Sequence, residues 1–404
     1  MTKEKRVALF LKSLKGGGMV TSMLRLARGI AERGHRVDVL VAAKPEEAIW
    51  ETAPANATIV CLHRNALARL RLWQALRSYK SDGSENQKKP FIPVKMPRAP
   101  RYLPAVTDYM KTARPDGLIV AGTGYNLTAL WARRLSGVQM PVVISERNSL
   151  RAEITLHENK SDWLWKHAPH LIAQAYPDAD AIVANSYGVA VDLAEVTGLP
   201  TSSMTTIFNP VVNSALQEKA REPVNHPWFA PDMPPVILGA GRMHPQKDLP
   251  MLVRAFAKLR ETHHARLVIL GGDAKHGVRD ELVAFAAELG VSEDVDLPGF
   301  VANPFAFMAR AGVFALSSRY EGCPNVLIEA LACGCPVVST RCPHGPDEIL
   351  KGGEYGALVD VGDHAAMARA LATALDQSHD TRRLMERASD FGFDKAVDSY
   401  LHFI

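Results

Sequence analysis

Cysteine is scarce in this chain, five residues in 404. Four of the five, Cys323, Cys333, Cys335 and Cys342, crowd into one stretch, where Cys-x-Cys stands in place of the Cys-x-x-Cys that a structural zinc site needs. They read as reduced thiols, buried or half-buried, acting as small hydrophobes. Long apolar runs are missing too: none approaches the roughly 20 uncharged residues of a membrane-spanning helix. The N-terminus offers only Val-Ala-Leu-Phe-Leu before Lys12, too little for a signal peptide. The expectation is a cytoplasmic chain. Two phosphate-loop signatures are absent as well. Gly239-Ala-Gly241-Arg-Met-His lacks the third glycine of a nicotinamide-binding fingerprint, and no Gly-Lys-Ser/Thr of a Walker loop exists.

What is present is the balance of a globular protein, 47% hydrophobic and 22% charged, and too long for one ordinary core. The net charge of +4 conceals an asymmetry. Residues 1–210 have 28 basic and 18 acidic side chains, whereas the remainder has 19 and 25. Between Arg64 and Arg101 there are ten basic residues and two acids, with Leu67, Leu70, Trp73 and Leu76 spaced as one helical face. A basic amphipathic helix followed by a Lys/Arg/Pro-rich loop fits contact of residues 64–101 with an anionic membrane surface, and equally a solvated helix with a flexible loop. No nucleic-acid partner is expected, because the patch is local and no binding motif accompanies it. If lipid is the partner, the chain would sit peripherally on the cytoplasmic face of the inner membrane.

Strands and helices alternate along the whole chain. Val7–Leu11, the glycines 16–18, a helical pattern over Met19–Arg33 ended by Gly34, and a strand at Val37–Ala42 form a βαβ start. Further strands are expected at Ile59–Leu62, Leu118–Ala121, Val142–Ser145 and Ala181–Asn185, and the series closes at Pro210. A polar, Pro-rich run to Pro235 reads as a linker. The alternation then restarts, with strands at Val236–Gly239, Arg266–Leu270, Val295–Leu297, Val313–Leu316, Val337–Ser339 and Ala357–Val359. The expected organisation is α/β, two doubly wound Rossmann-like domains facing a central crevice. Residues 1–210 form the acceptor side and 211–385 the nucleotide side, with an aromatic tail over 386–404 packing back toward the first domain.

The most informative segment runs from Glu321 through Gly-Cys-Pro-Asn-Val-Leu-Ile to Glu329. It sets two carboxylates beside a turn and a helix start. Backbone N–H groups at a helix N-terminus hold phosphate oxygens, and carboxylates accept hydrogen bonds from sugar hydroxyls, so the pattern fits a nucleotide sugar. Together with Ser317-Ser318-Arg319-Tyr320 before it and Gly345-Pro346-Asp347-Glu348-Ile349-Leu350 after it, this segment resembles the retaining family 4 glycosyltransferases of the GT-B fold. Within that family it is similar to the subset that builds bacterial polysaccharides and lipid-linked glycans. The similarity is strongest over Gly239–Leu350 and in the N-terminal glycine loop.

The resemblance implies roles position by position. Glu329 would bind the ribose hydroxyls and Glu321 the transferred sugar, while the backbone of Asn325, Val326 and Leu327 would face the diphosphate. Arg242 and Lys247 match the pair that neutralises the leaving diphosphate, where charge accumulates in the transition state. Gly16, Gly17 and Gly18 would let the backbone approach the donor. Many relatives have a histidine near the position of Glu146; here Ser145-Glu146-Arg147 stands instead, and either Glu146 or Arg147 would orient the acceptor. Asn185-Ser186 is a weaker candidate at the next strand end. Asp178-Ala-Asp180 and Asp294-Val-Asp296 resemble a metal motif of another glycosyltransferase fold but precede their strands, so no metal or other cofactor is expected.

The implied reaction is transfer of a hexosyl or N-acetylhexosaminyl group from a nucleoside diphosphate sugar, UDP-linked by expectation, to a hydroxyl of a glycan or polyprenyl-diphosphate-linked acceptor. The anomeric configuration would be retained. Two alternatives share the architecture: a phosphorylase or sugar-nucleotide epimerase, exposed by its products, and a noncatalytic nucleotide-sugar-binding adaptor, exposed by donor binding without turnover.

Overall fold

The structure is a computed structural model that describes residues 3–14, 17–42, 57–79, 93, 95–157, 162–272 and 277–404. Gly16 and much of the basic loop, residues 80–92 and 94, lie outside them. In chain order the elements are β1 (Arg6–Leu11), α1 (Gly18–Glu32), β2 (Arg36–Val41), β3 (Ala57–Cys61), α2 (Ala68–Ser78), α3 (Leu103–Ala113), β4 (Gly117–Ala121), α4 (Thr123–Ser136), β5 (Val142–Glu146), α5 (Leu150–His157), α6 (Trp163–Ala175), β6 (Ala181–Ala184), α7 (Tyr187–Thr197) and β7 (Met204–Thr206). There follow α8 (Ser214–Arg221), β8 (Val236–Ala240), α9 (Leu249–Leu259), β9 (Arg266–Leu270), α10 (Val278–Glu288), β10 (Val295–Gly299), α11 (Pro304–Met308), β11 (Val313–Leu316), α12 (Asn325–Ala332), β12 (Val337–Thr340), α13 (Pro346–Ile349), β13 (Ala357–Val359), α14 (His364–Asp376), α15 (Thr381–Ser389) and α16 (Phe393–Leu401).

Two compact units result: Met1–Pro210 with Asp394–Ile404, and Val211–Phe393. Unit 1 is built on a sheet of order β3-β2-β1-β4-β5-β6-β7, unit 2 on one of order β10-β9-β8-β11-β12-β13. All pairings within both sheets are parallel. Each sheet starts in its middle and winds outward in both directions, the doubly wound plan. Parallel strands covered on both faces read as unbroken apolar runs, and Leu118–Ala121 and Val313–Leu316 are buried at every position. Their order reverses between β1 and β4 in unit 1 and between β8 and β11 in unit 2. Those switch points, at the carboxyl ends of the strands, are where this fold takes its ligands.

Two expectations need correction. The run after Pro210 is not an open linker. Asn213 caps α8 by accepting from the Leu216 amide at 3.0 Å, and the helix docks in unit 2 through buried Leu216 and through Gln217, which donates to Ala332 O at 2.8 Å. The tail is divided: residues up to Phe393 belong to unit 2, and α16 supplies the last part of unit 1. On α2 the leucines of the marked face divide between core and surface. Ala68, Leu72, Ala75 and Leu76 turn inward, whereas Leu67 and Leu70 stay about half exposed, at 52% and 50%. Packing against α4 chose a face that the spacing of the largest side chains does not reveal.

Candidate active site

In unit 2 the chain leaves β8 through Gly241, whose φ of +154° suits glycine. Next to it Gly271, at φ +146°, ends β9, and a Cβ there would stand 1.8 Å from Gly241 O. The two strand ends can approach only as backbone. Beyond Gly241 the loop makes a single 3-10 turn at Pro245–Lys247, capped by the His244 ring, which accepts from the Gln246 amide. This loop is then tied to the loop after β11. Arg319 N donates to Gln246 O at 2.8 Å, Ser317 Oγ to Lys247 O at 2.7 Å and Gln246 Nε2 to Tyr320 O at 2.8 Å. Asp248, held in the left-handed region at φ +44°, accepts from Arg319 through both carboxylate oxygens, at 2.9 and 3.3 Å.

The consequence is a fixed ion pair at the switch point. Lys247 Nζ lies 2.6 Å from Glu321 Oε1, and Ser318 Oγ donates to the same oxygen at 2.7 Å. Both charged side chains are largely shielded from water, which strengthens their attraction and gives them little freedom. Ser318 is itself positioned by Thr340 at the end of β12, whose hydroxyl donates to Ser318 O at 2.6 Å. The Glu321 amide donates to Pro343 O, and Gly345, at φ +87°, packs so tightly that a Cβ would meet Pro324 Cδ at 2.6 Å. Glu321 thus sits in a loop clamped from both sides.

Four residues on, Asn325 opens α12 after Pro324, which cannot cap it with a side chain. Asn325 and Glu329 stand one turn apart on the same face, and both are buried. Of the three amides assigned to the diphosphate, that of Leu327 already donates to Pro324 O at 3.1 Å, so Asn325 and Val326 are the better placed donors. Arg242 is exposed, and among the described residues it forms no ion pair. None of the five cysteines forms a disulfide; burial pushes the Cys333 and Cys342 thiols up to about 12, which keeps them protonated and inert.

Unit 1 holds the other candidates. Gly17 N-caps α1 at φ +130°, and Gly18 begins that helix. Glu146 ends β5 and is enclosed: it accepts from Thr123 Oγ1 at 2.9 Å, from Asn126 Nδ2 at 3.0 Å and from Tyr176 Oη. Burial raises its pKa to about 7, against the downward pull of those three donors. With every oxygen occupied inside unit 1, Glu146 supports the strand end rather than reaching toward a ligand. Arg147 differs. It is 9% exposed, and its Nη1 donates to Tyr400 Oη at 3.3 Å, yet Nε and Nη2 are buried without a partner among the described residues. Buried donors without acceptors are costly, and a guanidinium in that state is set to meet an anion or hydroxyl. Asn185 donates to Arg147 O at 3.1 Å, and Ser186 caps α7, so both support the loop.

The aspartate pairs are spoken for. Asp178 binds Arg134 and Tyr79, Asp180 binds Arg133, Asp294 binds Arg260 and Arg266, and Asp296 binds His226. A depression bounded by Lys111, Arg114 and Gln139 lies at the amino ends of β4 and β5, away from the strand ends that deliver ligands in this fold. Ser317, Ser318 and Arg319 carry no role in the sequence pattern itself. Their polar character beside Glu321 was the available signal, and its meaning depends on the loop after β8.

Residues 234–377 match the family described as glycosyl transferases group 1, and residues 16–213 match glycosyltransferase family 4. The chain is 33% identical over 289 residues, 72% of its own length and 72% of the relative's, to the N-acetylgalactosamine-N,N'-diacetylbacillosaminyl-diphospho-undecaprenol 4-alpha-N-acetylgalactosaminyltransferase of Campylobacter jejuni. The chain belongs to glycosyltransferase family 4. This family 4 enzyme is also 30% identical over 234 residues to the lipopolysaccharide core biosynthesis glycosyltransferase LpsE of Rhizobium meliloti, covering 57% of this chain and 65% of that one. Its structure is similar to that of Anabaena Alr3699/HepE in complex with UDP-glucose, with a TM-score of 0.74 at 18% identity over 99% of this chain and 100% of that one. At that identity the likeness speaks for the GT-B fold alone. The chain is a GT-B glycosyltransferase.

Proposed function

We propose that this family 4 glycosyltransferase moves a hexosyl or N-acetylhexosaminyl group from a UDP-sugar to a hydroxyl of a lipid-linked glycan, with retention at the anomeric carbon, in the assembly of lipopolysaccharide or a related surface glycan. The observation that carries this reading is the Lys247–Glu321 pair fixed at the switch point of unit 2. Lysine has three donors, so Lys247 can keep Glu321 and still offer hydrogens to a diphosphate. The charge on that diphosphate grows as the sugar–phosphate bond breaks, and a cation already in place stabilises the transition state more than the ground state. Glu321 orients the sugar, Glu329 accepts from the ribose hydroxyls, Arg242 adds a second cation, and the Asn325 and Val326 amides meet phosphate oxygens. The departing phosphate oxygen takes the acceptor's proton on the face from which it leaves.

The acceptor class rests on relatives whose names place them on undecaprenyl diphosphate and on lipopolysaccharide core. No described helix is long and apolar enough to cross a membrane. Contact with an anionic bilayer would instead use the exposed Leu67 and Leu70 of the α2 segment, flanked by Arg69 and Arg71. Membrane contact predicts that Leu67→Gln with Leu70→Gln lowers sedimentation with anionic vesicles.

The reaction itself is tested by radiolabelled transfer from a panel of UDP- and GDP-sugars to a polyprenyl-diphosphate-linked acceptor. Lys247→Ala and Glu329→Ala should each lower transfer by about 100-fold or more; unchanged donor consumption in either variant overturns the site. Retention is read from the product by the NMR coupling at its anomeric proton. Chelation by EDTA should leave the rate unaltered, because cationic side chains and amides do the neutralising.

A further inference from the structure

At the carboxyl ends of β1 to β4, unit 1 has an open cleft of about 770 Å³ that none of the roles above uses. Separate chain segments converge on it: Lys12 just past β1, Arg64 after β3, and Lys95, Arg98 and Arg101 from the connection that enters α3. Among the described lining residues the one carboxylate is Asp162, and it is occupied in capping α6, where it accepts from the Leu164 amide at 3.1 Å. Among the described residues no ion pair engages Lys12, Arg64, Lys95 or Arg98. Like charges gathered with no ion-pair partner among the described residues raise the energy of the cleft, and a multiply charged anion would relieve that cost.

The cleft is also built to hold something larger than an ion. Arg101 donates to Met96 O through Nε and Nη2 at 3.1 and 3.0 Å, which pins the connection, and Arg64 donates to Tyr102 Oη at 3.3 Å. Tyr102 and Tyr125 form the floor, with Tyr125 set edge-on to Phe10 at 5.2 Å between ring centroids. Burial raises the Tyr125 phenol pKa, while the charges of Arg98 and Arg64 act on it in the opposite sense, so both guanidinium groups bear on one spot. Trp163 completes the lining, and its indole N–H is buried without an acceptor among the described residues. Aromatic faces with a spare donor suit a sugar ring, and planar guanidinium groups suit phosphate oxygens.

We propose that this cleft binds the diphosphate ester of the acceptor, with Arg64, Arg98, Lys12 and Lys95 on the phosphate oxygens and the attached sugar against Tyr102, Tyr125 and Trp163. The assignment rests on the reading that the acceptor is phosphorylated, and it supplies the means by which unit 1 would recognise it. A diphosphate ester has more than one negative charge at neutral pH, and so answers a cluster of four cations with no ion pair among the described residues better than a neutral glycan would.

The test uses the full chain with its nucleotide site filled by saturating UDP. Inorganic diphosphate and farnesyl diphosphate are titrated by calorimetry into wild type, Arg64→Gln with Arg98→Gln, and Lys12→Gln with Lys95→Gln. These side chains are on the surface, so the thermal midpoint and UDP affinity should stay unchanged while diphosphate binding weakens by about tenfold or more in each double variant. Farnesyl diphosphate binding more tightly than inorganic diphosphate supports a lipid-linked acceptor at this cleft; equal affinity supports the cleft with a water-soluble ester. Diphosphate that does not bind the wild type, or that binds both double variants as well as the wild type, overturns the proposal. So does a loss in Arg64→Gln with Arg98→Gln that affects phosphatidylglycerol vesicles but not diphosphate. If UDP itself fails to bind, the transfer reading falls, and the same titrations without nucleotide still decide whether the cleft is an anion site.

Discussion

Lys247 and Glu321 form a structural tie, and the proposed reaction gives the same pair a second task at the donor. Lys247→Ala leaves Glu321 with the Ser318 hydroxyl as its side-chain partner among the described residues, and the fold should lose about 1–3 kcal/mol. Activity should fall further than stability explains, with kcat reduced more than KM rises, because the lost charge acts chiefly on the departing diphosphate. A KM effect alone would make Lys247 a ground-state binding residue. Glu146 gives a prediction in pH. Its folded pKa of about 7 stands above the ordinary 4.5, so the folded chain keeps a proton that the unfolded chain releases between those values. Stability is therefore fullest below the lower value, falls as pH rises, and above pH 7 has lost about 3 kcal/mol through this group. In Glu146→Gln that slope should vanish, so the variant's advantage in urea denaturation should grow across this window and then level. Parallel curves for variant and wild type would remove Glu146 as the source.

Among the elements, the loops after β8, β9 and β11 matter more than the helices. Gly271→Ala drives a Cβ into Gly241 O, a backbone atom with nowhere to go, at a φ that disfavours any side chain. The loop bearing Lys247 must move, and the variant should lose nucleotide affinity as well as stability, measured by UDP calorimetry and thermal melting. Most elements were legible beforehand: α9, β9, β11 and β13 begin and end where their apolar runs do, since a buried parallel strand is a continuous hydrophobic segment and an amphipathic helix is periodic. The strand β7, only three residues with none buried, offered no such run. Helix α8 hid in a polar stretch because two buried side chains are too few to make a visible period. On α2 the period was visible, but spacing alone does not separate the exposed Leu67 and Leu70 from the buried Leu72 and Leu76.

On the scale of the whole molecule, the chain passes through unit 1, builds unit 2, and returns to unit 1 with its last eleven residues, Asp394–Ile404. That return is held by specific contacts. Arg33 at the end of α1 bonds Asp394 and Asp398 at 3.0 and 2.7 Å, Ile404 covers Gly117, and Tyr400 is fully buried with its hydroxyl 3.1 Å from Ser145 Oγ. Tyr400→Phe should cost about 1 kcal/mol by removing a partner of Ser145 and Arg147, while Tyr400→Ala, which also empties the site, should cost about 3–5 kcal/mol. Equal melting curves for the two would mean that the ring contributes nothing. The exposed ion pairs of Arg33 should matter little by comparison.

The amino-acid sequence by itself determined the two doubly wound units, since hydrophobic period and glycines at strand ends are local facts about neighbouring positions, and the family resemblance of the Glu321–Glu329 segment marked the candidate donor-side residues. Only the tertiary structure decided which of these residues meet. Lys247 and Glu321 are brought to 2.6 Å by hydrogen bonds between loops from two different strands. Glu146 is closed off by Tyr176 and Asn126, and scattered cations from Lys12 to Arg101 gather around one cleft. Burial and pairing depend on what lies across space, and a chain of residues states only what lies alongside.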